Sequence, residues 1–333
     1  MEFYMFGYKE YFLTSDLTIA IILILLSCYT VVGNTMVCIV YLKDPGRQLR
    51  TVSNHFVANL CVADILVGVI VEPLNASSNW NSEPRILFAF YITAILSCIC
   101  SIVTIAAMMI DRYIAVSRPF EYKILVTSRR VRIALLLMWL FSLHFSLMPV
   151  LGWTTSFFQV YLYGLGILVP TAIMLLSYYG LLRILREKTK NLRNSSAREA
   201  THSKKSIARE KRISTTVFIM LLVFLIAWCP FVTVDFILVF CLECRDSSTI
   251  RIARDVTLVL GFSSSGVNPL LYAWRVPNFR KGFMLLFPCK RRNAVIPLKD
   301  LDSRSSAGFT IQDAIQSNES FGSRNSRKSK TDN

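Results

Sequence analysis

Seven stretches of the chain are almost unbroken in apolar residues, and short polar segments separate them: 17–42, 52–76, 87–117, 130–151, 157–187, 205–240 and 250–274. An α-helix rising 1.5 Å per residue needs roughly 20 residues to cross about 30 Å of hydrocarbon, and each stretch is long enough. The pattern predicts an all-α membrane protein, a bundle of seven spanning helices. The longest must tilt or project beyond the bilayer. In 205–240 the apolar run is preceded by the charged turn Lys204 to Arg212, which predicts a helix base standing clear of lipid. After Trp274 the spacing changes. Phe279, Phe283, Leu286 and Phe287 recur at helical intervals with Arg280 and Lys281 opposite, predicting a short amphipathic eighth helix on the membrane surface. The organisation expected is an N-terminal segment 1–16, a helical domain 17–288 and a tail 289–333. That tail is Ser-rich, charged and poor in large apolar residues, so disorder is expected there.

Composition agrees. Hydrophobic residues make up 53% of the 333 and charged residues 17%, with mean hydropathy +0.48. A water-exposed surface calls for about a quarter charged residues, so this chain lacks the polar cover of a soluble protein. The net charge of +16 would suit a nucleic-acid binder if it were spread evenly, but it alternates. Segments 43–50, 117–132, 183–212 and 275–333 carry +2, +4, +8 and +7; the N-terminus to Leu17 carries −2, and 72–86 carries −1. Basic residues in short loops stay on the cytoplasmic side, which places the N-terminus outside, the C-terminus inside, and requires an odd number of spans. The excess charge then faces anionic inner-leaflet lipid, and nucleic acid is not an expected partner. Met1 to Asp16 lacks the basic start and short apolar core of a cleavable signal, so the first span is expected to be its own anchor.

Polar groups inside a span are costly, so each is a functional candidate. Asn34, Asp64, Asp111, Arg112, Asp235, Asn268 and the run Ser263 to Ser265 form the main set. With their neighbours they give Gly33-Asn34 in the first span, Asn59 to Asp64 in the second and Asp111-Arg112-Tyr113 in the third. Trp139 stands in the fourth, Pro170 and Tyr178 in the fifth, Trp228-Cys229-Pro230 in the sixth, and Asn268-Pro269 to Tyr272 in the seventh. In this order, one set per span over about 20–290, the chain resembles the rhodopsin-like G-protein-coupled receptors.

The resemblance implies a multi-pass receptor of the plasma membrane. Arg112 would pair with Asp111 and with Glu210 at the base of the sixth helix. Breaking that lock would let the sixth helix swing outward and admit a heterotrimeric G protein, with Tyr113, Tyr178, Pro269 and Tyr272 supporting the change. Asp64, Ser101, Ser265 and Asn268 match the family's site for an allosteric sodium ion, a set of oxygen ligands suited to a hard cation; no other cofactor is expected. Ile102, Pro170 and Phe224 match its transmission triad beneath Trp228. The ligand pocket carried over comprises Ala94, Ile95, Cys98, Leu162, Gly166, Trp228, Phe231, Val232, Asp235, Leu258 and Phe262, with Glu72 and Arg254 toward the rim.

Two departures matter. The family's usual disulfide from the third helix to the second extracellular loop is missing: Leu87 stands at the expected position, and the loop, roughly 152–156, holds no cysteine. Members of the melanocortin, cannabinoid, lysophospholipid and adenosine branch resemble the chain in this. Ala94 stands where amine receptors carry an aspartate, which disfavours a biogenic amine bound in that mode, and Phe262 stands where opsins carry the retinal lysine. A lipid-like or small apolar ligand, a peptide touching Asp235, and activity without ligand all remain open.

Among the nine cysteines, Cys241 and Cys244 lie at the outer end of the sixth span, where a local disulfide is expected; zinc would need two further ligands. Cys289 precedes Lys290-Arg291-Arg292 and is a candidate for palmitoylation. Asn75 heads a glycosylation sequon at the end of the second span. The Ser/Thr-rich tail, with Ser206 and Ser329 beside basic residues, suits a receptor kinase and arrestin. Three histidines and no nucleophile–base or metal spacing argue against an enzyme. A transporter or channel is the alternative, but the chain shows no repeated halves.

Overall fold

A computed structural model describes residues 17–44, 49, 51–80, 83–153, 155–191, 197–241 and 243–286. The expectations for 1–16, the tail and Cys289 lie outside these residues, as does the side chain of Ser206. Seven helices are long and apolar enough to span a membrane: α1 (Leu17–Lys43), α2 (Asn54–Asn79), α3 (Pro84–Ser117), α4 (Ser128–Leu147), α5 (Ser156–Asn191), α6 (Ala197–Phe240) and α7 (Ser248–Arg275). The short α8 (Pro277–Leu286) comes next, with Phe279 and Gly282 buried and Met284 and Leu285 exposed, as its amphipathic spacing predicts. Among the described residues there is no strand.

α6 begins eight residues earlier than its apolar pattern suggests, because Ala197 to Ala208 is rich in Ala, Arg, Glu and Lys, which favour helix without needing lipid. The other differences are local and involve proline. α2 contains a wide turn at Val67–Val71 and α5 another at Leu162–Leu168. Each wide turn ends two residues before a proline, Pro73 and Pro170. Proline has no N–H and its ring displaces the carbonyl four residues back, so the preceding turn opens. An extra residue in one turn rotates the remainder of the helix by roughly 100°. α2 also runs beyond the expected end at residue 76, so Glu72, expected near the rim, is fully buried against α1, where Thr30 donates to its Oε1 at 3.5 Å.

α3 is central, touching α2, α4, α5 and α6; α1 packs on α2 and α7, and α8 on α7 and α1. Leucines and isoleucines of α1, α4 and α5 face outward, Leu25, Leu136 and Leu176 among them. Lipid is as apolar as leucine, so helix association rests on close packing and interhelical hydrogen bonds of about 0.6 kcal/mol each. Both are present. Gly68 lets α2 approach α1 so closely that a Cβ there would strike Val31. Asn59 joins three helices, donating to Thr104 Oγ1 at 2.8 Å while Trp139 Nε1 donates to its Oδ1 at 2.9 Å. Asn34 Nδ2 donates to the carbonyls of Thr30 at 3.0 Å and Ser265 at 3.2 Å. These are the motif residues of α1, α2 and α4, and their work in the structure is to join helices.

The link from α4 to α5 is a tight turn in which Gly152 takes φ +91°, a conformation that L side chains resist. Leu87 instead packs against Leu238 and Val234 of α6 and Ile250 of α7. Cys241 and Cys244 are disulfide-bonded, with Cα atoms 5.3 Å apart, as expected.

Candidate functional site

Cavities lined by described residues lie at both ends and in the middle of the bundle. The first is enclosed by α5, α6, α7 and α3 at the Asp235 end, with a volume of about 60 Å³. Nine of the eleven expected pocket residues line it: Ala94, Ile95, Cys98, Leu162, Trp228, Phe231, Asp235, Leu258 and Phe262. Gly166 and Val232 are not among its walls; Gly166 sits where a Cβ would strike Ile99, in the wide turn of α5. Tyr163 and Arg254 are polar walls outside the eleven expected residues. Tyr163 donates its hydroxyl to Asp235 Oδ2 at 2.7 Å, and Arg254 Nε lies 3.9 Å from Asp235 Oδ1. Arg254 is 3% exposed, inside the bundle rather than at a rim. The floor is aromatic: Trp228 stands edge-on to Phe262 at 5.4 Å and to Phe231 at 5.8 Å.

Below it a cavity of about 20 Å³, room for one water-sized body, is lined by Asp64, Ser101, Ser265 and Asn268 together. Asn268 Nδ2 donates to Asp64 Oδ2 at 2.8 Å. Asp64 Oδ1 and the Ser101 hydroxyl are buried and find no protein partner among the described residues. A carboxylate oxygen and a hydroxyl without partners around so small a space fit a single monovalent cation. Phe224 lines the same cavity and lies 6.0 Å from Trp228; Ile102 is buried in α3 and Pro170 in α5.

At the opposite end a cavity of about 380 Å³ is walled by α2, α3, α6, α7 and the α3–α4 link. Arg112 Nε donates to Asp111 Oδ2 at 3.0 Å, and its Nη2 reaches both Asp111 and the Ser53 hydroxyl. Arg112 Nη1 lies 3.6 Å from Glu210 Oε2 on α6. Tyr122, on a single helical turn (Tyr122–Leu125) in that link, donates to Asp111 Oδ1 at 2.8 Å and shares a hydrogen bond of 2.8 Å with Ser53. Burial first, then the Asp111 carboxylate, push its phenol up to about 12. Ser53 and Tyr122 carry no motif and only the fold brings them here. A second tie from α6 to α7 was equally invisible: Arg212 Nη2 donates to the Trp274 carbonyl at 3.3 Å, and Arg275 Nε to Thr216 Oγ1 at 3.4 Å.

The remaining expected residues are placed separately. Tyr113 packs against Gly180 of α5. Tyr178 stacks on Phe218 of α6 with centroids 4.0 Å apart, and Tyr272 lies under Phe279 with its hydroxyl unpaired among the described residues. Pro269 is buried within α7. Asn75 is 3% exposed, its carbonyl accepting from Ser78 and Asn79. A side chain this enclosed offers a glycan little access. The cause is the longer α2, which takes Asn75 inside the bundle. Among the described residues no His, Cys, Asp and Glu cluster fits a zinc-type metal.

Residues 33–272 match the sequence profile of the 7 transmembrane receptor (rhodopsin family). The histamine H2 receptor of Homo sapiens is 30% identical over 301 residues, covering 83% of this chain and 81% of that protein. The adenosine receptor A3 of Canis lupus familiaris is 26% identical over 300 residues, covering 83% and 92%. The crystal structure of squid rhodopsin superposes with a TM-score of 0.73 at 20% identity, covering 88% of this chain and 91% of that one, a likeness of fold.

Proposed function

This chain belongs to the rhodopsin family of seven-transmembrane receptors, which are not enzymes, and from that premise we propose that it passes a signal from a small ligand at the Asp235 end to a heterotrimeric G protein at the Arg112 end. The observation that supports this most directly is the Arg112 cluster. α3 supplies a guanidinium already neutralised by its own neighbour Asp111, while α6 contributes only Glu210 at 3.6 Å. α6 can therefore leave without stranding a buried charge. Its departure would enlarge the 380 Å³ cavity into a cleft for a G-protein segment, with Tyr178 and Tyr272 turning toward the space vacated.

The charge alternation supports an arrangement with residues 1–16 outside the plasma membrane and the tail 289–333 inside, against anionic lipid. There a receptor kinase and arrestin would meet its serines, and Cys289 would take an acyl chain. Domain 17–288 holds all the transmitting parts. Trp228, with Ile102, Pro170 and Phe224 beneath it, joins the ligand cavity to the cavity around Asp64. Asp64, Ser101, Ser265 and Asn268 would hold a sodium ion there, which would supply a compact positive charge. Exchanging NaCl for N-methylglucamine chloride should then lower thermal stability by about 1.4 kcal/mol at tenfold saturation, and Asp64→Asn should remove that dependence.

Relatives named for histamine and adenosine support a small nitrogen-bearing ligand over a lipid or a peptide. Ala94 offers such a molecule no charge on α3, but Asp235 offers one on α6. The decisive experiment measures GDP release from purified G proteins in vesicles holding the receptor, with solute flux in the same vesicles. Release dependent on receptor supports the reading; flux without release overturns it in favour of a transporter.

A further inference from the structure

The wall of the 60 Å³ cavity already grips a cation, and that cation belongs to the chain itself. The Arg254 guanidinium of α7 lies 5.7 Å from the centroid of the Phe231 ring and 3.9 Å from Asp235 Oδ1, both on α6. Tyr163 of α5 holds the other Asp235 oxygen at 2.7 Å. An aromatic face, a carboxylate and a phenol converging on one charge are the parts that recognise organic cations. Trp228 and Phe262, edge-on to each other at 5.4 Å, line the same cavity and give it an aromatic floor.

We propose that Arg254 is a resident cation holding the place of a ligand's charged group, and that this receptor takes a small organic cation, an amine, amidine or guanidine on an aromatic ring, which exchanges with Arg254 at Asp235. The proposal rests on the reading of this cavity as the ligand site. Exchange is physically accessible because neither partner is stranded by it. Arg254 Nη1 also lies 3.5 Å from Asp255 Oδ1, so on leaving Asp235 it keeps a carboxylate, and Asp235 keeps the Tyr163 hydroxyl until the ligand arrives. Space points the same way. A ring needs a cavity of roughly 150 Å³. The 60 Å³ present would admit a few waters; withdrawing the long Arg254 side chain adds the missing room. Because the Arg254–Asp235 pair ties α7 to α6, the exchange would also untie the outer half of α6.

The test uses full-length receptor in nanodiscs, with methylguanidinium chloride as the probe and methylurea as its neutral counterpart, read by thermal unfolding. In Arg254→Ala the probe should raise Tm in a saturable way at millimolar concentration, and wild type should need about tenfold more for the same shift. Methylurea should do nothing, and Asp235→Asn combined with Arg254→Ala should abolish the response. Where Arg254→Ala is not recovered folded, Arg254→Gln is read in the same way. No shift in either variant, a shift that survives Asp235→Asn, or an equal shift with methylurea would overturn the proposal. Because the readout is unfolding, a receptor that binds the probe yet never releases GDP from a G protein would sink the coupling alone.

Discussion

The two ends of the bundle hold the same three kinds of group in opposite arrangements. At one, Arg112 meets Asp111, with Tyr122 bonded to the acid; at the other, Arg254 meets Asp235, with Tyr163 bonded to the acid. The difference lies in what α6 supplies. At the Arg112 end the central acid is on α3 and α6 adds only Glu210, whose side chain is 30% exposed. At the Asp235 end α6 supplies the central acid, 3% exposed, and its partners come from α5 and α7. One cluster is complete without α6 and the other is organised around it. A helix held in this way would open at the first end and be addressed by a ligand at the second.

The largest effect should come from removing the guanidinium that remains when α6 moves. Arg112→Ala should reduce GDP release to that of vesicles without receptor, whatever ligand is present. Release equal to wild type would remove Arg112 from the proposed role and dissolve the contrast between the two ends. Next comes the buried pair. Asp235→Ala still leaves Arg254 the Asp255 carboxylate at 3.5 Å, so the cost should fall near the low end of the usual penalty for breaking a buried pair, about 3 kcal/mol. A double-mutant cycle of Asp235→Asn and Arg254→Gln should return a coupling above about 1 kcal/mol. Additive losses would mean that 3.9 Å marks proximity and not an interaction.

These clusters also show what could be read from sequence. Seven spans, the amphipathic α8 and the Cys241–Cys244 bond are consequences of periodicity, length and compartment, which are local properties. Asp64, Arg112 and Asn268 were legible because an ionisable or amide group in a span has few bland explanations. Glu72 was expected near the rim because the wide turn before Pro73 and the further turn of α2 beyond residue 76 are not visible in a straight-helix reading. Ser53, Tyr122 and Tyr163 were missed for another reason. Serines in links and tyrosines near span ends are common, and only packing selects the one that touches an acid.

A smaller effect tests whether α6 is lightly held at the Arg112 end. A partly exposed pair at 3.6 Å is worth about 0.2–1 kcal/mol. Glu210→Gln should therefore raise ligand-free GDP release by no more than about fivefold, with a thermal stability change under about 1 kcal/mol. A rise of two orders of magnitude would show that Glu210 is the main restraint, and the two ends would then be alike.

The smallest effect isolates the tyrosine. Tyr122→Phe deletes the hydroxyl that donates to Asp111 and bonds Ser53, a loss of about 1 kcal/mol, while Arg112 keeps its own bonds to Asp111. Its phenol is pushed up to about 12, above the ordinary value near 10, so the folded state holds this proton more tightly than the unfolded one. The stabilisation is therefore fully present below about pH 10 and is lost as pH rises through the folded value. The difference in Tm between wild type and Tyr122→Phe should stay constant from about pH 6 to 9. A difference that shrinks within that range would mean the hydroxyl ionises early. It could then not be the donor that holds Asp111 in place while α6 moves away.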